Sequence, residues 1–482
     1  MNNLHELPSI AGDASRSNAG MSRHSVRGFA LLIGCCALVA CSTGDAASPP
    51  ANSAEASEST PAGAPAGATF VPSLDGPTAA QVADETLMYA MAGTRMPTGQ
   101  AAALVSMRLS RDPKWIAPLI EMVRVAPAAD SFGTVLDEIT DQKFGMDWPR
   151  WVEWYGRGDL EPPYGFARWK GELFGEYTGH DAFRRFLHED MNAQVRVEEI
   201  VWGGVGPDGI PPLEGPAFVE ADSEFYDPNE FVLGVSVGDD HRAYPLRIMN
   251  WHEMANDVVG GRQVSLAYCT LCGAGVLYDG TFTAKDGSSV TTTFGTSGLL
   301  MRSNKLMYDR ETESLWNQIT GEPISGESAG AGVRLTRLPV TTSTWGEWKQ
   351  AHPDTMILSP DTGHARDYSP GKPYGEYFAS EGLMFPVWRR SKALPKKEVV
   401  FALIVEGTAK AYPLSRLTEG TLKDTVGGVE ILLEVGPEAP DTNEPAGRSV
   451  RAYRASDRER LAGHNAFWFG WFAYYPDTEV YE

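Results

Sequence analysis

Cysteine is scarce in this sequence. Five cysteines occur in 482 residues, and Cys35, Cys36 and Cys41 lie close to the amino terminus. A disulfide-rich scaffold is therefore excluded, because such folds depend on several bridges distributed along the chain. The two remaining cysteines, Cys269 and Cys272, form a single Cys-x-x-Cys motif. A structural zinc site made of two such motifs is excluded too, because the second motif is absent.

The sequence also lacks the common catalytic fingerprints and an excess of positive charge. No GxSxG, HExxH, Walker or dinucleotide-binding motif is present. Lys and Arg together number 41 against 63 Asp and Glu, which gives a formal net charge of −22. Such a chain would be repelled by nucleic acid, so we expect no nucleic-acid partner. Anionic lipid would repel it as well, so attachment to a membrane requires a covalent lipid.

Long apolar runs are missing, with one short exception near the amino terminus. Residues 28–40, GFALLIGCCALVA, form an apolar run that follows two arginines. This run is too short for a typical membrane span but has the length of a signal-peptide core. The sequence LVAC at its end resembles a bacterial lipoprotein cleavage and lipidation box. We therefore predict a signal peptide over residues 1–40 and lipidation of Cys41.

Small and polar residues follow the predicted lipidation site. Residues 41–76 are rich in Ala, Ser, Pro and Gly, and they carry too little apolar surface to fold. A flexible coil of this length spans roughly 30 Å, enough to hold a folded body off a membrane. Ser42 resembles the outer-membrane sorting residue of bacterial lipoproteins. We expect a lipid-anchored cell-envelope protein, at the periplasmic face of the outer membrane or at the cell surface.

Helical patterns dominate residues 77–160. The pair Asp112–Pro113 is typical of a helix start, and apolar residues follow it at helical spacing. The sequence Asp147-Trp148-Pro149 predicts a second helix with an aromatic face. Short capped helices of this kind resemble HEAT-like repeats, which often serve as docking surfaces. We predict an all-helical domain, either HEAT-like or plain, and a protein partner that docks on it.

The sequence pattern changes twice after the helical part, at residue 161 and again at Phe231. Gly and Pro are frequent in residues 161–230, so we predict an irregular connecting segment there. From Phe231 onward, alternating apolar residues predict β-strands. Asp286–Gly287 predicts a hairpin turn, and LMYDRETESLWNQ at 306–318 predicts a second hairpin. The predicted fold class is α+β, with a helical module followed by a mainly β, two-lobed body.

The β-rich part contains an internal duplication. Two segments occur twice in the same order, RAYPL at 242–246 with KAYPL at 410–414, and NDVVGG at 256–261 with KDTVGG at 423–428. A pair of tryptophans followed by Pro-Asp-Thr closes each copy. We therefore predict a first lobe over 231–358, a connector over 359–398 and a second lobe over 399–482. Residues shared by the copies are expected to be scaffold, and residues confined to the first copy are candidates for function.

Several long blocks around this duplication resemble one family. They are RAYPLRIMNWHEMANDVVGG, YCTLCGAGVLYDG, SGLLMRSNKLMYDRETESLWNQITGE and TWGEWKQAHPDT. These blocks are similar to the signature blocks of the bacterial and archaeal family named domain of unknown function 3179, over about residues 160–482. The resemblance implies a fold unit and the location of a site, and it implies no particular reaction.

The copies differ at the residues best suited to chemistry. Alignment of the VGG segments places Glu419, Gly436 and Ala439 opposite His252, Cys269 and Cys272. Thiolate and imidazole ligands suit copper(I) or zinc. The first interpretation is therefore a metal centre made by Cys269, Cys272 and His252, acting as a carrier or as a catalytic centre. Further ligands for such a centre could come from Met307, Asp257 or Asp309.

Two other interpretations of the cysteine pair remain open. The pair could be a redox dithiol, since Cys-x-x-Cys is the usual spacing of exchanging thiols. It could also be a static disulfide that pins a β-turn in a non-enzymatic interaction protein. Candidate acid–base residues are Asp309, Arg310 and Glu311, although charges in a hairpin turn are often only a solvated face. His364 and His464 have no partner that the sequence identifies, so we expect structural roles for them.

Overall fold

The fold is described here from a computed structural model. It describes residues 76–93, 99–189, 191, 195–330, 332–440 and 444–482. The predicted signal peptide, nearly all of the predicted tether and the lipidation residue Cys41 lie outside the described residues. Within them, every helix is too short or too polar to cross a membrane. All described residues belong to one compact unit, Phe70–Glu482.

Seven α-helices make up the described amino-terminal part. They are α1 (Ala79–Ala92), α2 (Gln100–Ser110), α3 (Ile116–Val125), α4 (Ser131–Thr140), α5 (Trp148–Gly156), α6 (Phe166–Thr178) and α7 (Ala182–Phe186). The Asp112 carboxylate accepts a hydrogen bond from the Lys114 amide over 3.1 Å, before α3. The Asp147 carboxylate accepts one from the Arg150 amide over 3.2 Å, at the start of α5. Both predicted helix starts are therefore confirmed.

The segment predicted to be irregular, 161–230, differs from that prediction in its first part. Helices α6 and α7 lie inside it, and Trp169, Leu173 and Phe174 of α6 are buried. These apolar residues recur at helical spacing, which favours a helix over an irregular chain. The dense Gly and Pro residues are confined to the stretch around 203–212, which does lack helix and strand. The prediction is therefore wrong for the helices at 166–178 and 182–186 and for three short strands at 200–202, 213–214 and 218–220.

The remainder of the described chain is mainly β. The strands of the first lobe and its approach are β1 (Ile200–Trp202), β2 (Leu213–Glu214), β3 (Phe218–Glu220), β4 (Phe231–Val237), β5 (Asp240–Pro245), β6 (Met254–Val259), β7 (Arg262–Cys269), β8 (Ala274–Asp279), β9 (Thr281–Thr283), β10 (Ser289–Thr291), β11 (Phe294–Met301), β12 (Asn304–Asp309), β13 (Leu315–Asn317), β14 (Pro323–Ser325), β15 (Arg337–Leu338), β16 (Thr341–Thr344) and β17 (Met356–Leu358). The strands of the second lobe are β18 (Val399–Val405), β19 (Thr408–Pro413), β20 (Gly420–Val426), β21 (Val429–Val435), β22 (Val450–Arg454), β23 (Arg460–Leu461), β24 (Gly463–Phe467) and β25 (Glu479–Val480). Four short helices accompany them, α8 (Leu246–His252), α9 (Trp345–Ala351), α10 (Gly375–Ala379) and α11 (Trp468–Phe472). The predicted fold class, helices followed by a mainly β body, is therefore confirmed.

The first lobe contains three five-stranded sheets and a hairpin. The strand orders are β1-β11-β12-β13-β14, β15-β8-β7-β6-β2 and β16-β4-β5-β17-β3. Strands β9 and β10 form the hairpin whose turn contains Asp286–Gly287, and β12 and β13 form the second predicted hairpin. Both hairpin predictions are therefore confirmed.

The second lobe repeats part of this topology. Its sheet order β24-β18-β19-β25 matches β16-β4-β5-β17, with two antiparallel pairings followed by one parallel pairing in each lobe. The same side-chain hydrogen bonds recur as well. Tyr244 donates to Asp257 over 2.7 Å and Tyr412 donates to Asp424 over 2.7 Å. Residues shared by the two copies thus hold the sheet-to-hairpin junction of each lobe.

A continuous core joins the helices, the cysteine motif and the second lobe. One buried apolar cluster includes residues of α1 to α7, Cys269 and Cys272 of the first lobe, and α11 of the second lobe. Trp169, Trp468 and Trp471 are among its fully buried members. The cysteine motif therefore lies deep in the folded chain, where the first lobe packs against other elements.

Candidate functional site

The Cys-x-x-Cys motif forms a tight turn between two paired strands. Strand β7 ends at Cys269, a 3₁₀ turn covers Thr270–Cys272, and β8 begins at Ala274. Gly273 completes the turn with a φ of +58°. This left-handed conformation favours glycine, because a Cβ would be strained there. The sequence thus closes the turn within four residues of Cys269 and holds the two cysteines side by side.

The two sulfurs converge on one backbone carbonyl. Cys272 Sγ lies 3.4 Å and Cys269 Sγ lies 3.9 Å from the Ser303 oxygen, and each thiol can donate to it. Ser303 lies in the β11–β12 turn, where Arg302 and Ser303 both have positive φ. Such a two-residue turn fixes the direction of its carbonyl groups. Both cysteines are free thiols with exposed fractions of 1% and 0%.

An amide network supports the sulfurs and the strands that carry them. Asn304 Nδ2 lies 3.7 Å from Cys272 Sγ and donates to Gln318 Oε1 over 2.7 Å. Gln318 Nε2 in turn donates to the carbonyls of Ala267 and Ala274 over 2.8 and 3.0 Å. Gln318 therefore braces β7 and β8 on both sides of the cysteine turn.

The thiols differ in acidity. Burial alone would raise the pKa of Cys269, but hydrogen bonds from the Cys272 thiol and from the Lys305 and Cys272 amides lower that pKa below its ordinary value. Burial and the neighbouring Cys269 sulfur raise the pKa of Cys272 well above its ordinary value. Cys269 is therefore the thiol that ionises first, and Cys272 is the partner that supports its charge.

A buried ion pair lies next to the thiols. Lys305 Nζ donates to the Glu253 carbonyl over 2.7 Å and lies 3.6 Å from the Glu253 carboxylate. Burial lowers the pKa of Lys305, although Glu253 and Cys269 both oppose this change. Burial raises the pKa of Glu253, and Lys305 opposes that change. The site thus contains a cation close enough to influence a thiolate on Cys269.

The second lobe and the connector cover the motif. A Cβ at Gly470 of α11 would lie 3.0 Å from Cys272 Cβ, and one at Gly273 would lie 2.4 Å from Pro445 Cβ. Tyr377 of α10 donates to the Leu271 carbonyl over 2.8 Å. Described residues of the second lobe and the connector therefore bury both cysteines.

His252 does not join the cysteines. Its Nδ1 lies 2.7 Å from the Pro211 carbonyl oxygen and its Nε2 lies 2.5 Å from the Tyr368 hydroxyl. Both ring nitrogens are therefore engaged by the 203–212 loop and by the connector. Burial lowers the pKa of His252 to about 4 despite the Pro211 hydrogen bond, so the ring is neutral at pH 7. In the described part of the chain, no three His, Cys, Asp or Glu side chains are grouped as metal ligands.

The other candidate residues are dispersed. Asp309 is buried and accepts hydrogen bonds from the backbone and side chain of Thr312, from the Ser314 amide and from Trp316 Nε1. Its carboxylate therefore shapes the β12–β13 turn. Arg310 pairs with Asp208 over 3.0 Å, and Glu311 is exposed.

The two further ligand candidates also serve the fold. Asp257 accepts from Tyr244, and Met307 packs in an apolar cluster that contains Trp316. These side chains hold strands and turns in place.

Sequence reasoning missed several residues that contact the site. Ser303, Asn304, Lys305 and Gln318 lie in the stretch that the first copy contains and the second lacks, and Glu253 aligns with Gly420 of the second copy. Asn304 and Lys305 are polar residues inside the otherwise apolar strand β12. They could have indicated the site, because a buried polar side chain requires a partner. His364 was expected to be purely structural, yet its ring lies 5.1 Å from that of His252.

The fold and the site define a duplicated β protein with a buried dithiol in its first lobe. The family model described as "Protein of unknown function (DUF3179)" matches residues 207–478. The chain belongs to this family, and the resemblance seen in the sequence blocks is confirmed. The match includes both lobes and begins in the loop that contacts His252. No curated protein and no solved structure matches the chain.

Proposed function

We propose that Cys269 and Cys272 bind a single copper(I) ion between their sulfurs, as a carrier site or as a catalytic centre of a cell-envelope protein. The observation that carries this proposal is the convergence of both sulfurs on the Ser303 carbonyl, at 3.4 and 3.9 Å. Two thiolates placed together in a rigid turn are a suitable ligand pair for a soft monovalent ion. His252 is left out of the ligand set, because its ring nitrogens are directed at Pro211 and Tyr368 and not at the sulfurs.

Copper(I) suits this site better than zinc. A structural zinc ion takes four ligands, and a catalytic one takes three from the protein. The dithiol supplies two side-chain ligands, and the described residues group no third His, Cys, Asp or Glu with them. Copper(I) prefers thiolate ligands and does not require the tetrahedral set that zinc does. Of the metal centre first predicted from the sequence, we keep the two cysteine ligands, and we restrict the metal from copper or zinc to copper(I).

The surroundings favour the charged form of Cys269, whereas Cys272, whose pKa is raised, would lose its proton when a metal ion binds. N–H groups of Asn304 and of the Lys305 backbone face the sulfurs, and such donors stabilise thiolate ligands. The Lys305 ammonium adds a positive charge to a site that would hold two thiolates and one monovalent cation. Because the side chain of Lys305 is 4% exposed, solvent screens this attraction little.

Burial also distinguishes an ion from a larger ligand. An ion can enter while the chain folds or through a small opening, and binding then contributes to the stability of the folded state. A folded protein partner would have to displace α11 and the Pro445 loop to reach the sulfurs. The closed geometry therefore favours a metal ion over direct exchange with a large substrate.

Copper(I) titration tests the proposal. The full-length chain is used with its three leader cysteines, Cys35, Cys36 and Cys41, replaced by serine, so that only the motif supplies thiols. Under anaerobic conditions and in competition with a chromophoric chelator, this protein should bind about one copper(I) ion and unfold at a higher temperature when loaded. Cys269→Ser and Cys272→Ser should each abolish both effects. Unchanged binding in either variant would refute a two-sulfur site.

Thiol–disulfide exchange is the second candidate, favoured by the opposite pKa shifts of the two thiols. The Cys269 thiolate would attack a substrate disulfide, form a mixed disulfide and expel the first substrate thiolate. Cys272, after losing its proton to solvent, would attack the Cys269 sulfur, form the intramolecular disulfide and release the second substrate thiolate. Cys272→Ser should then trap the mixed disulfide, whereas Cys269→Ser should trap none. Absence of an adduct from both variants, with a small disulfide as substrate, would remove this candidate.

A non-enzymatic scaffold is the third candidate. Exposed apolar side chains on the amino-terminal helices, Val105 and Leu109 of α2, favour a protein partner on that surface. This candidate requires the Cys269→Ser/Cys272→Ser variant to fold normally and to retain the phenotype of the parent protein. A lost phenotype in a folded variant would exclude it.

We also propose attachment to the cell envelope through lipid on Cys41. The support is the apolar run at 28–40 that ends in the LVAC sequence. Labelling cells with a fatty acid should mark the parent protein and leave Cys41→Ser unlabelled. Label retained in Cys41→Ser would contradict this attachment.

A further inference from the structure

A second cluster of side chains of metal-binding type lies where the end of α8 meets the connector. It joins His252 at the end of α8 to His364 and Tyr368 in the connector. The Tyr368 hydroxyl also lies 2.6 Å from Thr362 Oγ1. The second lobe has Glu419 opposite His252 and therefore lacks this cluster. The first copy supplies His252 to this cluster, and the connector supplies the other two side chains.

The hydrogen bonds of His252 fix its tautomer. A proline carbonyl can only accept, so the proton of the neutral ring is on Nδ1, which donates to Pro211 over 2.7 Å. The lone pair is then on Nε2 and accepts from the Tyr368 hydroxyl over 2.5 Å. A histidine that donates one N–H to a backbone carbonyl and directs its other nitrogen to a polar neighbour has the arrangement of a metal ligand.

The separation of the two imidazoles fits a shared ion. The ring centroids of His252 and His364 are 5.1 Å apart, with an interplanar angle of 54°. With metal–nitrogen bonds of about 2.0–2.1 Å, two imidazoles on a tetrahedral ion have ring centres about 5.2 Å apart. The two rings are thus already at the separation that such an ion requires.

We propose that His252, His364 and Tyr368 bind a divalent transition metal ion, of the zinc or copper(II) class, independently of the dithiol. His252 Nε2 and one nitrogen of His364 are the imidazole ligands, and the Tyr368 oxygen is the third. The metal–oxygen bond replaces the hydrogen bond from Tyr368 to His252, and the phenol proton leaves to solvent. Nitrogen and oxygen ligands of this kind suit zinc and copper(II).

The surface around the cluster permits access by an ion. His364 is exposed and Tyr368 is half-buried, whereas His252 is buried behind them. Arg366 carries a nearby positive charge, but its guanidinium packs over the Trp251 ring at 5.4 Å. One coordination position remains for water or a substrate atom, as in zinc sites that use three protein ligands.

Cobalt(II) is a suitable probe, because its absorption distinguishes sulfur from nitrogen and oxygen ligands. Full-length protein with the motif cysteines intact should show visible bands of tetrahedral cobalt(II) without the near-ultraviolet band of a cobalt–thiolate bond. Zinc should displace the cobalt. Copper(II) should instead produce a tyrosinate charge-transfer band, and Tyr368→Phe should remove that band.

Variants assign the ligands. His364→Ala changes an exposed side chain and should weaken cobalt(II) binding by at least about tenfold without loss of folding. His180→Ala removes another exposed imidazole and should leave binding unchanged. A cobalt–thiolate band that disappears in Cys269→Ser would overturn this assignment while supporting metal binding by the dithiol. Binding unaffected by His364→Ala, or no cobalt binding at all, would also overturn it and would leave the copper(I) proposal untouched.

Discussion

Replacement of Lys305 by methionine should destabilise the protein strongly. Lys305 and Glu253 are both buried, with side chains 4% and 9% exposed, and Lys305 Nζ also donates to the Glu253 carbonyl over 2.7 Å. Methionine retains most of the length of lysine, so the main loss is the charge and its hydrogen bond. Removing one partner of a buried ion pair costs about 3–5 kcal/mol, because the other charge is left uncompensated. We expect a loss of this size at pH 7.

The cost of Lys305→Met should fall as the pH falls. Burial raises the pKa of Glu253, and the removal of Lys305 takes away the interaction that lowers it. A carboxyl whose pKa is higher in the folded chain takes up a proton on folding, so acid favours the folded state of the variant. Glu253→Gln removes the same charge by mutation. The Lys305→Met/Glu253→Gln protein should therefore recover about 1–3 kcal/mol relative to Lys305→Met.

Urea unfolding followed by tryptophan fluorescence measures these differences. Lys423→Met replaces an exposed lysine on β20 and should change the free energy of unfolding by no more than about 0.5 kcal/mol. A Lys305→Met protein within about 1 kcal/mol of the parent at pH 7 would show that the two side chains do not form a stabilising buried ion pair. Further destabilisation of the Lys305→Met protein by Glu253→Gln would contradict an uncompensated charge on Glu253.

Two further substitutions test the packing of the second lobe on the first. Burial raises the pKa of Glu444 from 4.5 to about 7. Proton uptake by this carboxyl therefore stabilises the folded state below pH 4.5, and the stabilisation is lost as the pH rises through about 7. Glu444→Gln should therefore be more stable than the parent by roughly 1–3 kcal/mol at pH 8 and equal to it near pH 4, whereas exposed Glu438→Gln should show no such trend in thermal unfolding. Gly470→Ala places a methyl group 3.0 Å from Cys272 Cβ and should cost about 1–3 kcal/mol, whereas Gly375→Ala meets no atom within 4 Å and should be neutral. A neutral Gly470→Ala would show that α11 does not press on the cysteine turn.

The duplication was predictable because it rests on residues that both copies need for the same local contacts. The Tyr in each AYPL block donates to the Asp at the start of the VGG hairpin, namely Tyr244 to Asp257 and Tyr412 to Asp424. The closing tryptophans behave alike, since Trp348 and Trp471 each donate to a threonine over 2.9 Å. In these segments the repeated sequence and the tertiary contacts agree, so the repeats alone predicted two lobes of related topology.

The helices after residue 161 and the ligand set were harder to predict, for different reasons. The apolar residues of α6 have helical spacing, but the Gly-rich loop that follows in the same segment obscures this pattern. His252 lies seventeen residues before Cys269 in the chain, a spacing that permits contact without requiring it. Its direction depends on Pro211 and Tyr368, which come from distant parts of the sequence. The sequence around His252 therefore does not predict the direction of its ring.

The buried neighbours of the thiols show the same limit of local reasoning. Lys305 and Asn304 were visible as polar residues in an apolar strand, but their partners, Glu253 and Gln318, lie on other elements. Only the β11–β12 turn, which directs the Ser303 carbonyl at both sulfurs, brings them together. The sequence indicated the candidate residues of the first copy, whereas their contacts became visible only in the fold.

X-ray absorption at the copper edge of the copper(I)-loaded protein tests the central proposal most directly. The protein carries serine at its three leader cysteines, so Cys269 and Cys272 are its remaining thiols. We expect sulfur scatterers corresponding to two thiolates and no imidazole signal, because His252 is held by Pro211 and Tyr368. An imidazole signal, or a spectrum without sulfur, would contradict a copper(I) site formed by the two cysteines.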